Sequence, residues 1–317
     1  MSPEVPGVPA SDGWRLKVAY LPPPPRGPVH GALWAGHAMM ANRKSLDRPE
    51  GEGLGTTLAR CGFHVYLADM RGHGESGPRA EEGGRWSYDD IVLKDIPAIT
   101  RFVKNRHPEL PLAVVGHSLV GHGTLAALGQ MEGLPIDAVV SIASNTWVRA
   151  FEPSRLQWMK KRAVLSLFTG LARRKGYFPA KDYKFGSDNE ARRYVEQFGR
   201  WARSGRWTSE DGSRDYLAGL ARVACPVLSI AGAGDRFMCP PEEARRFHAR
   251  LTRAPVTEWI VSKDSRFGYD ATHMSLVTSR RGKVLWEAMA TWLADTLGAV
   301  AAKKGPGKEK PGAEARP

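Results

Sequence analysis

Cysteine is scarce in this chain of 317 residues: Cys61, Cys225 and Cys239 lie far apart, with no C-x-x-C pair and no metal-ligand spacing. Such an odd, scattered set excludes a disulfide framework or a zinc site and reads as small buried residues of a reducing compartment. Long hydrophobic runs are also missing. No window approaches about 18 consecutive apolar residues, so stable membrane insertion is not expected. Met1 to Leu21 has no basic stretch followed by an apolar one, and a cytoplasmic location is expected. No zinc-finger, helix-turn-helix or RNA-binding signature accompanies the formal charge of +13, so no nucleic acid partner is expected. Gly51-x-Gly53-x-Gly55 comes too early for a dinucleotide loop, and neither a cofactor nor a metal is implied.

The positive charge is unevenly spread. Between Arg149 and Arg222 there are 17 Lys and Arg against 8 Asp and Glu. Interleaved with aromatics, these cations read as a solvated surface or as groups that tune substrate access, with an anionic ester as one candidate. A chain of this length can bury a large core without covalent staples.

Apolar runs alternate with helical patterns, which argues for an α/β fold with a mostly parallel central sheet and helices on both faces. Strands are expected at Arg15 to Tyr20, Ala32 to Ala35, His64 to Ala68, Leu112 to Val115, Ala138 to Ile142, Val227 to Ala231 and Val256 to Val261. Helices fit at about Glu52 to Arg60, Tyr88 to Arg106, Leu119 to Gln130, Glu242 to Leu251 and Arg281 to Leu297. The rhythm breaks between Val148 and Arg222, where strand signals vanish, and resumes at Cys225-Pro226-Val227. The expected organisation is a core over 1–147, an α-helical cap insertion over 148–222 above the carboxyl edge of the sheet, a second core segment over 223–300 and a disordered basic tail over 301–317.

Gly116-His117-Ser118-Leu119-Val120-Gly121 follows the apolar run Leu112 to Val115 and precedes a helical pattern. A serine hydroxyl is a poor nucleophile at neutral pH, and a sharp strand-to-helix turn can expose it beside a base and unpaired N–H groups. Where G-x-S-x-G has its second glycine, this chain has Val120, with Gly121 one place late. A β-branched residue there must find a gap or displace the turn. The base needs a group that fixes its tautomer. Asp235 follows the strand Val227 to Ala231 in the turn Gly232-Ala233-Gly234, and His273 lies beyond the next strand. Asp264 and Asp270 are rival acids, close to His273 in sequence. His117 and His122 are expected to pack around the turn. Of two oxyanion donors, one should be the N–H of Leu119 and the other that of Met39, or of Ala38 after a one-residue slip.

With these residues in order, the chain resembles the α/β-hydrolase superfamily, in particular serine hydrolases of the lysophospholipase-like and monoacylglycerol lipase-like kind. Asp69-Met70-Arg71-Gly72-His73-Gly74-Glu75-Ser76 resembles a loop that serves the fold in that superfamily. The resemblance implies an α/β-hydrolase fold with a cap and a serine esterase of the carboxylesterase or lipase type. It implies acyl transfer through Ser118, His273 and Asp235 to water or another acceptor, with a small-molecule acyl substrate. Phe151, Trp158, Phe168, Tyr177, Phe178, Trp201 and Trp207 are expected to supply an apolar acyl pocket. The rival readings are a catalytically weak small-molecule binding protein, prompted by Val120, and a binder of nucleic acid or anionic membrane, prompted by the basic segment.

Overall fold

Seven strands form one sheet in a computed structural model that describes residues 7–304. Two short strands, β1 (Val8–Pro9) and β2 (Arg15–Leu16), pair antiparallel outside it. The sheet contains β3 (Val18–Leu21), β4 (Gly31–Gly36), β5 (Phe63–Ala68), β6 (Leu112–His117) and β7 (Ala138–Ile142). After β8 (Tyr177–Phe178) and β9 (Glu190–Ala191), which pair with each other, it is completed by β10 (Val227–Gly232) and β11 (Val256–Val261). The order is β11-β10-β7-β6-β4-β5-β3, and only β3 runs antiparallel to its neighbour. Every residue of β4, β6, β7 and β10 is buried. Strands covered on both faces are largely apolar, which is why they read as near-continuous runs and not as alternating ones; the buried Ser141 and Ser229 are bonded to His248.

The helices are α1 (Leu54–Arg60), α2 (Tyr88–Asp90), α3 (Ile96–Arg106), α4 (Leu119–Gln130), α5 (Arg155–Lys175), α6 (Arg192–Ser204), α7 (Tyr216–Gly219), α8 (Pro241–His248), α9 (Ser275–Thr278) and α10 (Lys283–Lys304). Trp34, Val114 and Val139 face one core, and Leu33, Ala35, Val115 and Val140 the other.

The structure departs from expectation in four places. The run Arg15 to Tyr20 is split, because the Lys17 N–H goes to Ser76 Oγ at 2.8 Å and the Lys17 carbonyl accepts from the Asp69 N–H. A wide turn at Ile91–Asp95 joins α2 to α3, where Pro97 lacks the N–H that would bond back four residues. The segment between Val148 and Arg222 contains β8 and β9, each of two residues, too short to leave a period-two signal. Finally, α10 runs on through Lys304. Residues 301–304 of the expected disordered tail are therefore helical, where Ala301 and Ala302 are strong helix formers. The rest of that tail lies outside the described residues.

Helix α4 packs unusually close to the sheet. A Cβ on Gly116 would run into the backbone of Gly121, and one on Gly121 into Ser144 and the carbonyl of Gly116. Gly121 thus provides the backbone approach. Val120, fully buried, is accommodated by a second glycine: a Cβ on Gly36, at the end of β4, would stand 2.6 Å from both Val120 methyl groups. The bulk added at 120 fills space that Gly36 leaves open. We expect Val120→Gly to open a void and cost roughly 3 kcal/mol of stability without raising kcat. Gly36→Ala should be destabilising by overpacking, about 1–3 kcal/mol. Because the two sites share one volume, the double variant should be less destabilised than the sum of the singles. Thermal melts of the four proteins test this, and strict additivity would refute the exchange of volume.

Candidate active site

Ser118 stands between the last residue of β6 and the first of α4, with φ 50° and ψ −104°. Left-handed backbone at a non-glycine residue costs about 1–3 kcal/mol and persists only where its surroundings over-determine it. They do so here. The Ser118 N–H donates to the Ile142 carbonyl at 2.8 Å, and the Ser118 carbonyl accepts from the His122 N–H at 3.0 Å. The sharp turn leaves Ser118 half-buried among otherwise buried neighbours. The N–H of Leu119 opens α4, where a helix has no acceptor of its own to offer.

His273 follows β11 and precedes α9. Its Nδ1 lies 2.6 Å from Asp235 Oδ2. Asp235 also accepts the backbone N–H groups of Met238 at 2.9 Å and Cys239 at 3.0 Å. Burial works to raise its pKa, but the hydrogen bond and charge of His273 and the two N–H donors outweigh it, so the carboxyl sits below its ordinary value. Asp264 and Asp270 are exposed, and Asp270 accepts the Lys263 N–H instead. His117 is fully buried, and its Nε2 donates to the His273 carbonyl at 3.0 Å. Burial and the neighbouring His273 push its pKa down to about 3, so it braces the His273 loop as a neutral ring.

The turn after β4 is held from two sides. His37 donates from Nδ1 to the Ala38 carbonyl and accepts the Met70 N–H at Nε2, 3.0 Å away. Burial and the charge of His73 lower its pKa to about 3. Met40 has φ 58°, and its N–H donates to Glu190 Oε1 at 2.7 Å. Its carbonyl accepts from the N–H groups of Ser187 and Asp188. Glu190 Oε1 also lies 3.1 Å from His73 Nε2, while Asp188 accepts the Gly74 N–H at 2.8 Å and the Asn42 amide at 2.6 Å. His73 and Glu190 are fully buried. Burial would lower the His73 pKa, but the charge and hydrogen bond of Glu190, with Asp188, lift it to about 9. The loop Asp69 to Ser76 thus reaches the chemistry indirectly, through the turn after β4. Glu190 and Asp188 did not stand out in the sequence. Their signal is that they are two of the few acids in a strongly basic stretch, and buried ones.

A cavity of about 400 Å³ lies over the carboxyl ends of the strands, with Met39, Ser118, Leu119 and His273 in its wall. The rest is mainly apolar: Met40, Trp147, Val164, Leu165, Leu167, Phe168, Phe185, Phe198, Phe237 and Met238, with His122 and Asn145 as the other polar residues. Of the seven aromatic residues expected to line an acyl pocket, Phe168 does so. Phe151, Phe178, Trp201 and Trp207 are instead core residues. Aromatic content marked the region but not which face each ring presents. The wall contains no Lys, Arg, Asp or Glu, so the basic residues of the segment lie away from it.

Comparison with known proteins bears on the fold. A soluble variant of monoglyceride lipase from Saccharomyces cerevisiae superposes with a TM-score of 0.64 at 16% identity, covering 92% of this chain and 96% of that one. An esterase of Pyrococcus furiosus gives 0.59 at 18% identity over 94% and 91%. A monoacylglycerol lipase of Paleococcus ferrophilus gives 0.56 at 18% identity over 89% and 99%. These likenesses establish an α/β-hydrolase fold. A tear acid lipase-like protein of Mesocricetus auratus is 29% identical over 90 residues, which are 26% of this chain and 22% of that relative's length. Residues 51–261 match the family described as serine aminopeptidase, S33. With about two thirds of its length inside that match, the chain belongs to this family of α/β hydrolases.

Proposed function

We propose that the protein hydrolyses carboxylic esters of apolar, uncharged substrates through Ser118, His273 and Asp235. The observation that carries this reading is the strained Ser118 turn opening into the same apolar cavity as a His273 ring bonded to Asp235 at 2.6 Å. His273 Nε2 takes the proton from Ser118 as its oxygen attacks the acyl carbon. Asp235 accepts from Nδ1–H, fixing the tautomer and stabilising the imidazolium. The oxyanion is received by the N–H groups of Leu119 and Met39. Met39 lies in the cavity wall and Ala38 does not, while the Met40 N–H is already committed to Glu190. His273 returns its proton to the leaving alcohol, and water then releases the acyl group by the same steps. Residues 148–222 act as the cap that closes the acyl pocket. An aminopeptidase would have to receive a substrate ammonium, and no carboxylate lines the cavity. The three cysteines, all free, support a reducing compartment, the cytoplasm.

Ser118→Ala should abolish turnover and fluorophosphonate labelling while leaving the melting temperature nearly unchanged. Asp235→Asn should lower kcat by roughly 10⁴, the size of that change in a serine-protease triad, and Asp270→Asn should not. Wild-type esterase activity in purified Ser118→Ala would overturn the assignment. Since no cation lines the cavity, kcat/KM for neutral esters should hold steady as salt is raised.

The buried pair of His73 and Glu190 predicts a pH dependence. His73 carries a folded-state pKa raised from 6.5 to about 9. The stability it contributes is therefore complete below about 6.5 and is lost as pH rises through about 9. Glu190→Gln removes the partner charge. The gap in melting temperature between wild type and Glu190→Gln should narrow from about pH 7 to about pH 10, and kcat should fall more than KM rises, because the turn carrying Met39 loosens. A gap that is constant with pH would mean that His73 is neutral.

A further inference from the structure

His122 is 3% exposed, yet it lines the cavity beside Ser118, one helical turn after it. In sequence it looked like a packing residue. Its Nδ1 lies 2.9 Å from the hydroxyl of Tyr88. Tyr88 is itself wedged against Trp201, ring centroids 4.8 Å apart and edge to face, and against Tyr216 and Phe198. The imidazole is thus held in one orientation from behind, and Nε2 is the nitrogen left for the cavity.

The tautomer follows from the same contact. Burial keeps the Tyr88 phenol protonated, and among the described residues His122 Nδ1 is the only acceptor its O–H reaches. A buried donor left without an acceptor costs about 1–3 kcal/mol. The phenol therefore donates, Nδ1 accepts, and the proton of the ring resides on Nε2. The ring is neutral, since burial and the nearby His273 hold its pKa down to about 3. What faces the cavity is a fixed, uncharged N–H donor, in a wall otherwise made mainly of Leu, Met and Phe side chains. Asn145, the other polar side chain of that wall besides Ser118 and the histidines, commits one of its two amide N–H groups to Glu243.

We propose that the Nε2–H of His122 is a recognition point for a hydrogen-bond-accepting oxygen on the substrate, so that the preferred ligand is an apolar ester bearing a keto, ether or hydroxyl oxygen close to the reacting carbonyl. A plain hydrocarbon chain leaves this donor without a partner. An oxygen at the matching position satisfies it in a dry environment, where one hydrogen bond discriminates strongly. The inference deepens the proposed ester hydrolysis and rests on it for the substrate class.

The test uses a straight-chain ester and a series of its keto analogues, with the ketone walked along the chain. Dissociation constants are measured by calorimetry on Ser118→Ala protein, and kcat/KM on the wild type. With His122 present, one ketone position should bind about tenfold more tightly than the plain chain. In the His122→Leu background that ratio should fall to about one, and in Tyr88→Phe, which frees the tautomer but keeps the ring packing, to an intermediate value. A ratio near one at every position, or a preference that survives His122→Leu, overturns the proposal. Should His122→Leu fail to fold, an unchanged preference in Tyr88→Phe overturns it and a reduced one supports it. Because binding is read without turnover, a wild type that hydrolyses no member of the series would reject ester hydrolysis while the affinity pattern still decides the role of His122.

Discussion

Helix α4 begins in direct contact with the backbone of the sheet, and most of the site's geometry follows from that contact. Gly116, Gly121 and Gly36 are the three positions where a side chain would prevent it. With the helix start pressed against β6, the chain has no room for an ordinary turn, and Ser118 is forced to positive φ with its side chain toward the cavity. Glycine at 116 and 121 brings the backbones together, and glycine at 36 leaves the volume that Val120 occupies. The usual pattern has its second glycine two places after the serine, and here the same clearance is divided between Gly121 in α4 and Gly36 at the end of β4. Two sequence-distant glycines therefore act as one steric requirement, which motif spacing alone cannot reveal.

Buried polar and charged side chains tie residues 148–222 to the rest of the chain on two sides of the cavity. On one side Glu190 and Asp188 engage His73, Asn42 and the backbone of Met40 and Gly74. On the other, Lys161 of α5 bridges Glu152 and Glu243, and Glu243 accepts from Asn145 in the cavity wall. Burial and the neighbouring Glu152 push the pKa of Glu243 up to about 8, against the pull of Lys161. Charges taken from water are costly unless paired, so each cluster tolerates few arrangements. Apolar contacts alone would let two greasy surfaces slide. The ionic clusters fix how this segment sits on the core, and with it the shape of the cavity.

The architecture was largely legible because its strands are buried on both faces. Runs such as Leu112 to Val115 and Val227 to Ala231 need no tertiary information to stand out. The order of Ser118, Asp235 and His273 was readable for a related reason: each follows a strand, and strand ends converge in a parallel sheet. What escaped was whatever depends on side-chain direction within 148–222. Phe151 and Phe168 look alike in sequence, yet the first is core and the second faces the cavity. Lys17 breaks a strand because of Ser76, nearly sixty residues away. Glu190 is an unremarkable acid until the fold brings it to Met40, 150 residues earlier. Local pattern encodes burial, and partner identity over such separations is encoded only in the assembled structure.

The distribution of protons among the histidines gives the site its electrostatic character. His37, His117 and His122 are all buried, and each is driven to a pKa of about 3. Each meets a neutral partner: a carbonyl and an N–H for His37, a carbonyl for His117, a phenol for His122. The carbonyls beside His37 and His117 favour a cation, but burial outweighs them. His73, in the loop after β5, meets Glu190 and carries charge, but it lies away from the cavity wall. His273 is the histidine of the cavity wall that is bonded to a carboxylate. Under the proposed mechanism, a proton taken up during acyl transfer would have one imidazole on which it is stabilised, with neutral rings around it. In an apolar cavity, where a misplaced charge would be expensive, the pairing of His273 with Asp235 is the arrangement that would confine the proposed proton transfer to the groups next to Ser118.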